Sequence, residues 1–198
     1  MKEFVLASRN RKKIAELETI LKETLSNDIR ILSLDEIGFS GEIEENGTTF
    51  EENAFIKASV PASLGYIGIA DDSGLTVDAL GGRPGVYSAR YSGLGDEGNN
   101  KKLLDELKDV PPEKRTAHFV CSICCVFPDG REPIRITKQC DGVILSAPQG
   151  VNGFGYDPLF FFPSLGQTFA EIPAEEKNRI SHRGKAVRAF AEKLRQIL

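Results

Sequence analysis

Short apolar segments of strand length alternate with amphipathic helical patterns along this chain, and the pattern of a long hairpin follows them. The segment 4–7 is typical of a buried strand, and apolar residues at steps of three and four predict a helix over 12–25. Segments 117–127 and 134–145 are predicted as strands joined at Pro128-Asp129-Gly130, because Asp-Gly supplies the positive φ of a tight turn. Local βα units and a hairpin in one chain predict an α/β fold with a mixed sheet.

Capping residues and helix breakers predict the boundaries of the other elements. Two overlapping capping boxes in Thr48-Thr49-Phe50-Glu51-Glu52 predict a helix that runs toward Ser59. Pro61 is expected to kink or end that helix. The further predictions are strands at 29–34, 67–70 and 159–162, an apolar segment at 75–80, a helix at 100–108, and a C-terminal helix with the apolar face Val187, Phe190, Ala191, Leu194 and Leu198.

The composition excludes several classes of protein. With 198 residues, the chain has the length of one domain and can bury a sizeable core. Its 40% hydrophobic and 27% charged residues are ordinary for a globular enzyme and too apolar for a disordered protein. The net charge of −4 argues against a protein whose main role is to coat nucleic acid, since that role needs a basic face. We expect a single domain over 1–198 and no nucleic-acid partner.

The N-terminal segment and the cysteines predict a cytoplasmic protein without a membrane partner. Only four apolar residues, 4–7, precede the return to polar sequence, whereas a signal peptide needs about 7–15. Cys121-x-x-Cys124 could form half of a zinc site, but no second such pair follows it. The favoured interpretation is a buried strand in which cysteine serves as a small apolar residue, in a reducing compartment.

A basic segment, Ser8-Arg9-Asn10-Arg11-Lys12-Lys13, joins the first predicted strand to the first helix. Cations are disfavoured at the positive end of a helix dipole, so these basic side chains gain little stability there. Their presence indicates that backbone N–H groups and basic side chains together bind a polyanion such as a phosphate chain. A solvated basic turn is the alternative.

Two aspartates, Asp71 and Asp72, follow an apolar strand and precede Ser73-Gly74. Neighbouring residues of a strand point to opposite faces, so one aspartate is expected to face a given cleft. A carboxylate at the C-terminal end of a strand suits Mg²⁺ binding or general-base catalysis, and an Asx-type turn is the alternative. Glu42-x-Glu44-Glu45 in the preceding loop could add a metal ligand, although loop acids are more often only solvated.

A glycine-rich aromatic segment, Gly153-Phe154-Gly155-Tyr156-Asp157-Pro158, can place a ring beside a flat ligand. Stacking of a base on such a ring is worth about 1–3 kcal/mol. Taken alone, a turn that leads into an apolar strand is the simpler interpretation.

A second basic segment, Ser181-His182-Arg183-Gly184-Lys185, precedes the last predicted helix, with Lys177 upstream of it. Ser181 could cap that helix, while the basic side chains donate hydrogen bonds to purine carbonyl oxygens or bind negative charge. A structural role for His182 is the alternative.

The segment Gly93-Leu94-Gly95-Asp96-Glu97-Gly98 has the spacing of a dinucleotide-binding motif but lacks its context. No apolar strand precedes it, and Asp96 and Glu97 stand where a pyrophosphate would bind. No P-loop motif is present either, so neither of these nucleotide-binding folds is expected.

Six segments in the right order make the chain similar to the inosine triphosphatase family, the XTP/dITP diphosphatases that remove deaminated purine nucleotides. They extend from residue 8 to residue 183, and Ser8 replaces the threonine of many members, which keeps the hydroxyl. The six segments are Ser8-x-Asn10-x-x-Lys13, Thr49-Phe50-x-Glu52-Asn53-Ala54-x-x-Lys57-Ala58, Ala70-Asp71-Asp72-Ser73-Gly74-Leu75, Pro84-Gly85-Val86-Tyr87-Ser88-Ala89-Arg90-Tyr91, Gly153-Phe154-Gly155-Tyr156-Asp157-Pro158 and Ser181-His182-Arg183.

The resemblance implies a reaction, a fold and an assembly state. The implied reaction is Mg²⁺-dependent hydrolysis of a purine nucleoside triphosphate (ITP, dITP or XTP) to the monophosphate and pyrophosphate. The implied fold is an elongated mixed sheet flanked by helices, with two lobes around a central cleft. The implied assembly is a homodimer.

The resemblance also assigns roles to single residues. Asp72 is the implied general base and a metal ligand, with Glu44 or Glu45 completing the metal site. Lys13 and Lys57 are the implied catalytic cations that neutralise phosphate charge. The implied substrate contacts are Ser8, Arg9, Asn10, Arg11, Lys12, Lys13, Asn53 and Ser73 toward the phosphates, and Phe154, Gly155, Tyr156, Asp157, Lys177, His182 and Arg183 toward the base.

Two other functions stay open on the sequence alone. One is an enzyme that attacks the terminal phosphate, which would release orthophosphate in place of pyrophosphate. The other is a non-catalytic nucleotide-binding or sensor module, which would have no need of Asp72.

Overall fold

The computed structural model describes residues 2–25 and 28–197, and the side chains of Lys12 and Glu16 lie outside the described part. The described strands are Lys2–Leu6 (β1), Ile29–Leu32 (β2), Ile67–Val77 (β3), Thr116–Val126 (β4), Ile134–Ile144 (β5), Phe160–Phe162 (β6) and Gln167–Thr168 (β7). The described helices are Arg11–Thr24 (α1), Phe50–Ser63 (α2), Gly95–Leu107 (α3), Ala174–Ile180 (α4) and His182–Arg195 (α5). None of these helices is long and apolar enough to cross a membrane.

The described strands form one mixed sheet in the order β2-β1-β3-β4-β5-β6-β7. β1 pairs in parallel with both β2 and β3, so that Phe4 lies opposite Ile31 on one side and Ile67 on the other. β6 is antiparallel to both β5 and β7. Parallel pairing requires crossover connections, and the segments that contain α1 and α2 supply them. The predicted α/β fold with a mixed sheet is therefore confirmed.

The chain divides into two compact units. The first comprises Met1–Asp72, Cys121–Thr137 and Ala186–Leu198, and the second comprises Ser73–Val120 and Lys138–Lys185. Each unit has a hydrophobic core of its own. The single domain over 1–198 and the central cleft stay predictions.

The core of the first unit is built from strand residues and from one face each of α1 and α5. Leu17 and Leu21 are buried on α1, as are Val187 and Phe190 on α5. Each such side chain contributes about 1.5–3 kcal/mol by leaving water. The predicted apolar faces of both helices are confirmed, while Leu198 lies outside the described residues.

The core of the second unit is rich in phenylalanine. The ring centroid of Phe160 lies 4.6 Å from that of Phe119 and 4.8 Å from that of Phe169, in tilted arrangements that aromatic pairs prefer. Tyr156 and Leu159 are buried in the same core. The segment 153–158 is therefore anchored at its C-terminal end by buried side chains.

All four cysteines are buried and carry free thiols. Burial raises the pKa of the Cys124 and Cys140 thiols to about 11, which keeps them protonated and unreactive. Cys121 and Cys125 belong to the core of the first unit. The interpretation of these cysteines as small core residues is confirmed.

The predicted strand at 67–70 is too short and the alternative turn at 71–74 does not form, because β3 runs unbroken from Ile67 to Val77. Ile69 is buried in the core of the first unit, while Leu75 and Val77 are buried in the core of the second. Burial of these side chains along one continuous strand outweighs the local turn preference of Asp, Ser and Gly. Asp71 and Asp72 therefore lie inside the strand.

Two predicted helix boundaries also differ from the structure. α2 continues through Pro61 to Ser63, because a proline so close to the C-terminal end removes few backbone hydrogen bonds. α3 begins at Gly95, earlier than the predicted Asn100. Its first turn therefore includes the acidic pair Asp96 and Glu97 of the glycine-rich segment.

Candidate active site

In the first unit, Asp71 and Asp72 of β3 lie just beyond the point where β1, the parallel neighbour of β3, ends. β1 ends at Leu6, and the Ala7 N–H donates to the Ile69 carbonyl oxygen at 2.7 Å. Beyond that bond, β3 continues with Asp71 and Asp72 toward the half-buried Ser73. The carboxylates thus stand at the C-terminal end of a parallel pair, where ligands bind in α/β sheets.

Asp71 binds the first helix. The Lys13 ammonium group donates to Asp71 Oδ2 at 2.8 Å, and the Asp71 side chain is only 7% exposed. The contact joins the helix that follows the basic segment to the residue next to Asp72. The structure therefore brings Lys13 and the aspartate pair together.

Asp72 binds the second helix. Lys57 Nζ donates to Asp72 Oδ1 at 2.8 Å and to Glu45 Oε2 at 3.0 Å, while Asn53 Nδ2 donates to Asp72 Oδ2 at 3.3 Å. The side chains of Lys57 and Asp72 are 12% and 14% exposed. The adjacent carboxylates of Asp71 and Asp72 thus face different helices, as expected for neighbouring residues of a strand.

Burial shifts the pKa values of Asp72 and Lys57. Removal from water raises the pKa of Asp72, and the Lys57 ammonium and the Asn53 amide offset only part of that rise, while Glu45 adds to it. Burial lowers the pKa of Lys57, but Asp72 and Glu45 outweigh burial, so the Lys57 pKa is raised and the group stays charged. A carboxylate with a raised pKa is a better proton acceptor than an ordinary aspartate.

α2 presents Asn53 and Lys57 on one face because its start is fixed. Thr49 caps the helix and Glu52 completes the capping box, whereas the second predicted box with Glu51 does not form. Small side chains of α2 then pack against β3 in a cluster that contains Ala54, Ala58 and Ala70. Residues four apart on this helix therefore both reach Asp72.

Within the basic segment, Ser8 and Asn10 fix the entry to α1. Asn10 Oδ1 accepts the Lys13 backbone N–H, which makes Asn10 the helix cap, and Ser8 Oγ accepts the Asn10 N–H. Arg11 is exposed, and the Lys12 side chain lies outside the described part. The predicted phosphate contacts of these residues stay predictions.

Arg9 has partners of its own within the first unit. Its guanidinium donates to Asp35 Oδ1 at 3.0 Å and to the carbonyl oxygens of Phe39 and Gly41 at 3.3 and 2.9 Å. Arg9 thereby holds the loop between β2 and α2. Its predicted contact with substrate stays a prediction.

The carboxylates around Lys57 fit a hard divalent cation. Mg²⁺ is commonly bound through one or two carboxylates together with substrate phosphates. Asp72 and Glu45 provide two such carboxylates, since both contact the same ammonium group, whereas no contact of Glu44 with that group is described, and Glu44 and Glu45 are both exposed. Across residues 2–25 and 28–197, no group of three or more His, Cys, Asp or Glu side chains could hold a metal ion. Asp72 and Glu45 are the two carboxylates with which the described site fits Mg²⁺.

The charge balance of the first unit's site suits a polyanion only once a cation is added. Asp71, Asp72 and Glu45 carry three negative charges against the two positive charges of Lys13 and Lys57, which leaves a net charge of −1. A divalent cation would reverse that sign. Ammonium groups could then bind phosphate oxygens, while a carboxylate accepts a proton from water.

The second unit carries an exposed ring beside a buried ion pair. Phe154 is 77% exposed, and Lys177 Nζ lies 4.8 Å from the centroid of its ring. Lys177 Nζ also binds Asp157 Oδ2, and that same oxygen accepts the Phe154 N–H at 2.9 Å. Burial raises the pKa of Asp157, and Lys177 opposes the rise. The structure therefore brings together Phe154, Asp157 and Lys177, as predicted.

The loop around Phe154 depends on a glycine and on Tyr156. Gly153 has a φ of +78°, and a Cβ there would lie 2.1 Å from Asp157 Oδ2. Tyr156 is buried, and its hydroxyl donates to the Ser88 carbonyl oxygen at 2.8 Å. These contacts fix the backbone on both sides of the exposed ring.

The segment 181–183 connects α4 to α5. Ser181 Oγ accepts the Gly184 N–H at 3.1 Å, which confirms the predicted cap. The ring of His182 stacks on Phe119 with centroids 4.9 Å apart, and Arg183 is half-buried. The stacking supports a structural contribution of His182, and the predicted contacts of both residues with the base stay predictions.

Three residues that make contacts in these sites have no role implied by the resemblance. Asp71 binds Lys13 directly, and the sequence shows both members of that pair without linking them. Asp96 Oδ2 accepts the Gly155 N–H at 2.7 Å, and Asn100 Nδ2 donates to the Gly155 carbonyl oxygen at 2.9 Å. The acidic pair in the glycine-rich segment is the sequence signal for Asp96, because that segment has no dinucleotide to bind, and the sequence carries no such signal for Asn100.

Comparison with known proteins identifies the relatives of the chain. A family model described as the Ham1 family matches residues 4–193. The chain is 50% identical to a dITP/XTP pyrophosphatase of Geobacter sulfurreducens over 197 residues, which cover 98% of this chain and 97% of the relative. A dITP/XTP pyrophosphatase of Clostridium perfringens is 47% identical, with full coverage of both chains.

A solved structure supports the same assignment. The Staphylococcus aureus Ham1 protein superimposes with a TM-score of 0.92 and is 40% identical, with all of both chains covered. These matches confirm the resemblance that the six motifs carry. The chain therefore belongs to the Ham1 family.

Proposed function

We propose that this protein hydrolyses deaminated purine nucleoside triphosphates (ITP, dITP and XTP) to the monophosphate and pyrophosphate, with Mg²⁺ as cofactor. The relatives named dITP/XTP pyrophosphatase cover nearly the whole chain and support this reaction. The observation that carries the proposal is the contact of Asp72 with Lys57, which also binds Glu45. A carboxylate with a raised pKa beside a cation suits proton transfer next to a phosphate.

The first unit binds the phosphates in this proposal. Lys13 and Lys57 exchange part of their carboxylate contacts for phosphate oxygens and neutralise the charge on the triphosphate. Asn53 donates hydrogen bonds toward the same oxygens, and Ser73, which follows Asp72 in the chain, is a further implied phosphate contact. Attack at the α-phosphorus is thereby favoured by charge neutralisation and by fixed orientation.

Asp72 is the general base in this proposal. Its Oδ atoms accept the proton of the attacking water, and Asn53 and Lys57 keep the carboxylate in one orientation. Asp72 and Glu45 would hold Mg²⁺, which would supply further positive charge at the phosphates. The hydrolysis breaks the bond between the α-phosphorus and the bridging oxygen, so pyrophosphate leaves as one piece.

The second unit selects the base. Phe154 offers an exposed ring for stacking, and Lys177 next to it offers a donor. A 6-oxo purine presents an acceptor where adenine presents an amino donor, so Lys177 or Arg183 would face an unpaired donor of ATP. An unpaired buried polar group costs about 1–3 kcal/mol, so two mismatches give a preference of roughly 100-fold.

The proposal includes a homodimer and a cytoplasmic location, which the resemblance to the family supports. Size-exclusion chromatography with light scattering tests the dimer directly. A mass of one chain would overturn that part of the proposal without touching the reaction.

A panel of nucleoside triphosphates with Mg²⁺ tests the reaction. We expect pyrophosphate from ITP, dITP and XTP, little turnover of ATP, and no turnover in EDTA. Orthophosphate as the first product would instead indicate attack at the terminal phosphate. Binding of ITP without any product would indicate a sensor module.

A further inference from the structure

The first turn of α3 holds the peptide that follows Phe154. Asp96 Oδ2 accepts the Gly155 N–H at 2.7 Å, and Asn100 Nδ2 donates to the Gly155 carbonyl oxygen at 2.9 Å. Asp96 and Asn100 are four residues apart on one helix, so they lie on the same face. Both polar groups of a single glycine are thus bound by one helical turn.

We propose that Asp96 and Asn100 are positioning residues for the base-stacking ring, and that they act on substrate binding through Gly155. The inference deepens the proposed function and rests on it, because it assigns to α3 the orientation of Phe154. Neither side chain needs to touch the nucleotide. The expected result of losing either contact is weaker recognition of the base with the chemistry at the phosphates unchanged.

The contact of α3 with the Gly155 backbone is important because the ring of Phe154 is exposed. At 77% exposure, the ring has little packing of its own to fix its direction. Its direction therefore depends on the backbone, where the Phe154 N–H already binds Asp157 Oδ2. Gly155 follows with a φ of +60° and would be free to change conformation if its peptide groups were released.

The helix that holds Gly155 is itself well anchored. Leu103 and Leu107 of α3 are buried in the core of the second unit. Near its start, buried Asn99 donates to the carbonyl oxygens of Ser88 and Ala89 at 3.3 and 3.2 Å. A side chain on such an element can hold a loop more firmly than another loop could.

The Asn100 side-chain amide makes one hydrogen bond among the described residues. Its Nδ2 binds Gly155, while its Oδ1 is buried and accepts no hydrogen bond from the described residues. A side chain whose only role was to stabilise the fold would do so better if both its Oδ1 and its Nδ2 formed hydrogen bonds, or if the residue here were apolar. The orientation of Asn100 thus points to the Gly155 contact as the reason for an amide here.

A substitution of Glu97 distinguishes this positioning role from a general effect of charge in the first turn of α3. Asp96 and Glu97 both lie in the first turn of α3, where either carboxylate is favourable to the helix dipole. Both side chains are exposed, but the described contact with Gly155 is made by Asp96. Glu97→Ala is therefore the matched control for Asp96→Ala, since both remove one charge from the same turn.

The test compares steady-state kinetics on ITP for the full-length variants. We expect Asp96→Ala and Asn100→Ala each to raise KM about 10-fold, as loss of part of a base stack should, with kcat within about twofold of wild type. Glu97→Ala should leave both constants unchanged. Inhibition by inorganic pyrophosphate should be the same in all variants, because it probes the phosphate end alone.

Two conservative variants sharpen the test. Asp96→Asn keeps an oxygen that can accept the Gly155 N–H, so we expect KM close to wild type. Asn100→Asp replaces the donor by a second acceptor facing a carbonyl oxygen, so we expect the rise in KM seen with alanine. These changes preserve the size of the side chain, so Asp96→Asn and Asn100→Asp can be used for the test if an alanine variant does not fold.

A spectroscopic readout is independent of turnover. The chain has no tryptophan, so Phe154→Trp introduces a single tryptophan at the ring position. In that background we expect lower steady-state anisotropy with Asn100→Asp than with Glu97→Ala. Unchanged anisotropy together with an unchanged KM for ITP in Asn100→Asp would overturn the inference. Failure of wild type to release pyrophosphate from ITP would instead overturn the proposed function.

Discussion

Lys57 Nζ lies 2.8 Å from Asp72 Oδ1 in a setting where both side chains are almost fully removed from water. The same ammonium group binds Glu45 at 3.0 Å. One cation therefore holds two carboxylates that would otherwise repel each other inside the protein. This arrangement makes Lys57 important for stability as well as for catalysis.

Lys57→Met should destabilise the fold. Removing one partner of a buried ion pair leaves an uncompensated charge, which costs about 3 kcal/mol. Asp72→Asn added to Lys57→Met should recover part of that loss, because the remaining charge is removed. Urea unfolding of the two single variants and the double variant measures the coupling. Strictly additive losses would contradict an interaction between these two side chains.

Lys13→Ala should weaken triphosphate binding without changing base preference. The Lys13 ammonium lies 2.8 Å from Asp71 and belongs to the phosphate end in our proposal. We expect KM for ITP to rise about 10-fold, while the ratio of kcat/KM for ITP over ATP stays the same. Lys22→Ala, on the same helix and paired at the surface with Glu18, is the control. A lost preference for ITP at unchanged KM would refute the assigned role.

Gly153→Ala should disturb the base-binding loop by a clash. Its Cβ would lie 2.1 Å from Asp157 Oδ2, and its φ of +78° is strained for alanine. Gly130→Ala is a close match, since Gly130 has the same φ of +78° but no atom within 4 Å of the added Cβ. We expect KM for ITP to rise with Gly153→Ala alone, while both variants lose about 1 kcal/mol of stability from backbone strain. Equal KM values in the two variants would argue against the clash.

His118 should make the stability of the protein depend on pH. Burial lowers the pKa of His118, but Asp141 at 2.7 Å and Asp78 at 3.3 Å outweigh burial and raise the pKa above its ordinary value. A raised pKa means that the folded state binds the proton more tightly than the unfolded chain. The stabilisation is therefore complete below about pH 6.5 and is lost as pH rises through the folded-state pKa.

Urea unfolding of wild type and His118→Gln at about pH 6 and about pH 8 checks this dependence. We expect the free energy of unfolding of wild type to fall toward the higher pH by less than about 1.4 kcal/mol per pH unit, the limit for one proton. The fall should be smaller in His118→Gln. Equal falls in the two proteins would show that His118 is not the group responsible.

The local elements of this fold could be predicted from the sequence because their signals are local. The apolar spacing of Leu17 and Leu21 predicts α1, and the capping residues predict the start of α2 at Phe50. β3 could not be predicted in full, because its polar centre at 71–74 indicates a turn. Only the two cores that bury Ile69 and Leu75 explain why the strand continues.

The contacts within the site could not be predicted for a different reason. Lys13 and Asp71 are 58 positions apart, and Asp96 and Gly155 are 59 positions apart. Such pairs depend on the register of strands and on the direction of a helix, which spacing along the chain does not determine. The motifs identify the candidate residues, and the fold determines which of them are in contact.

Turnover of ITP by Asp72→Asn tests the central claim most directly. With Mg²⁺ at saturating ITP, we expect kcat to fall by about 100-fold or more, while equilibrium binding of ITP stays within about threefold of wild type. Asp109→Asn, which changes an exposed acid, should behave as wild type. Unchanged pyrophosphate release by Asp72→Asn would contradict the account, because the proton would then be accepted elsewhere.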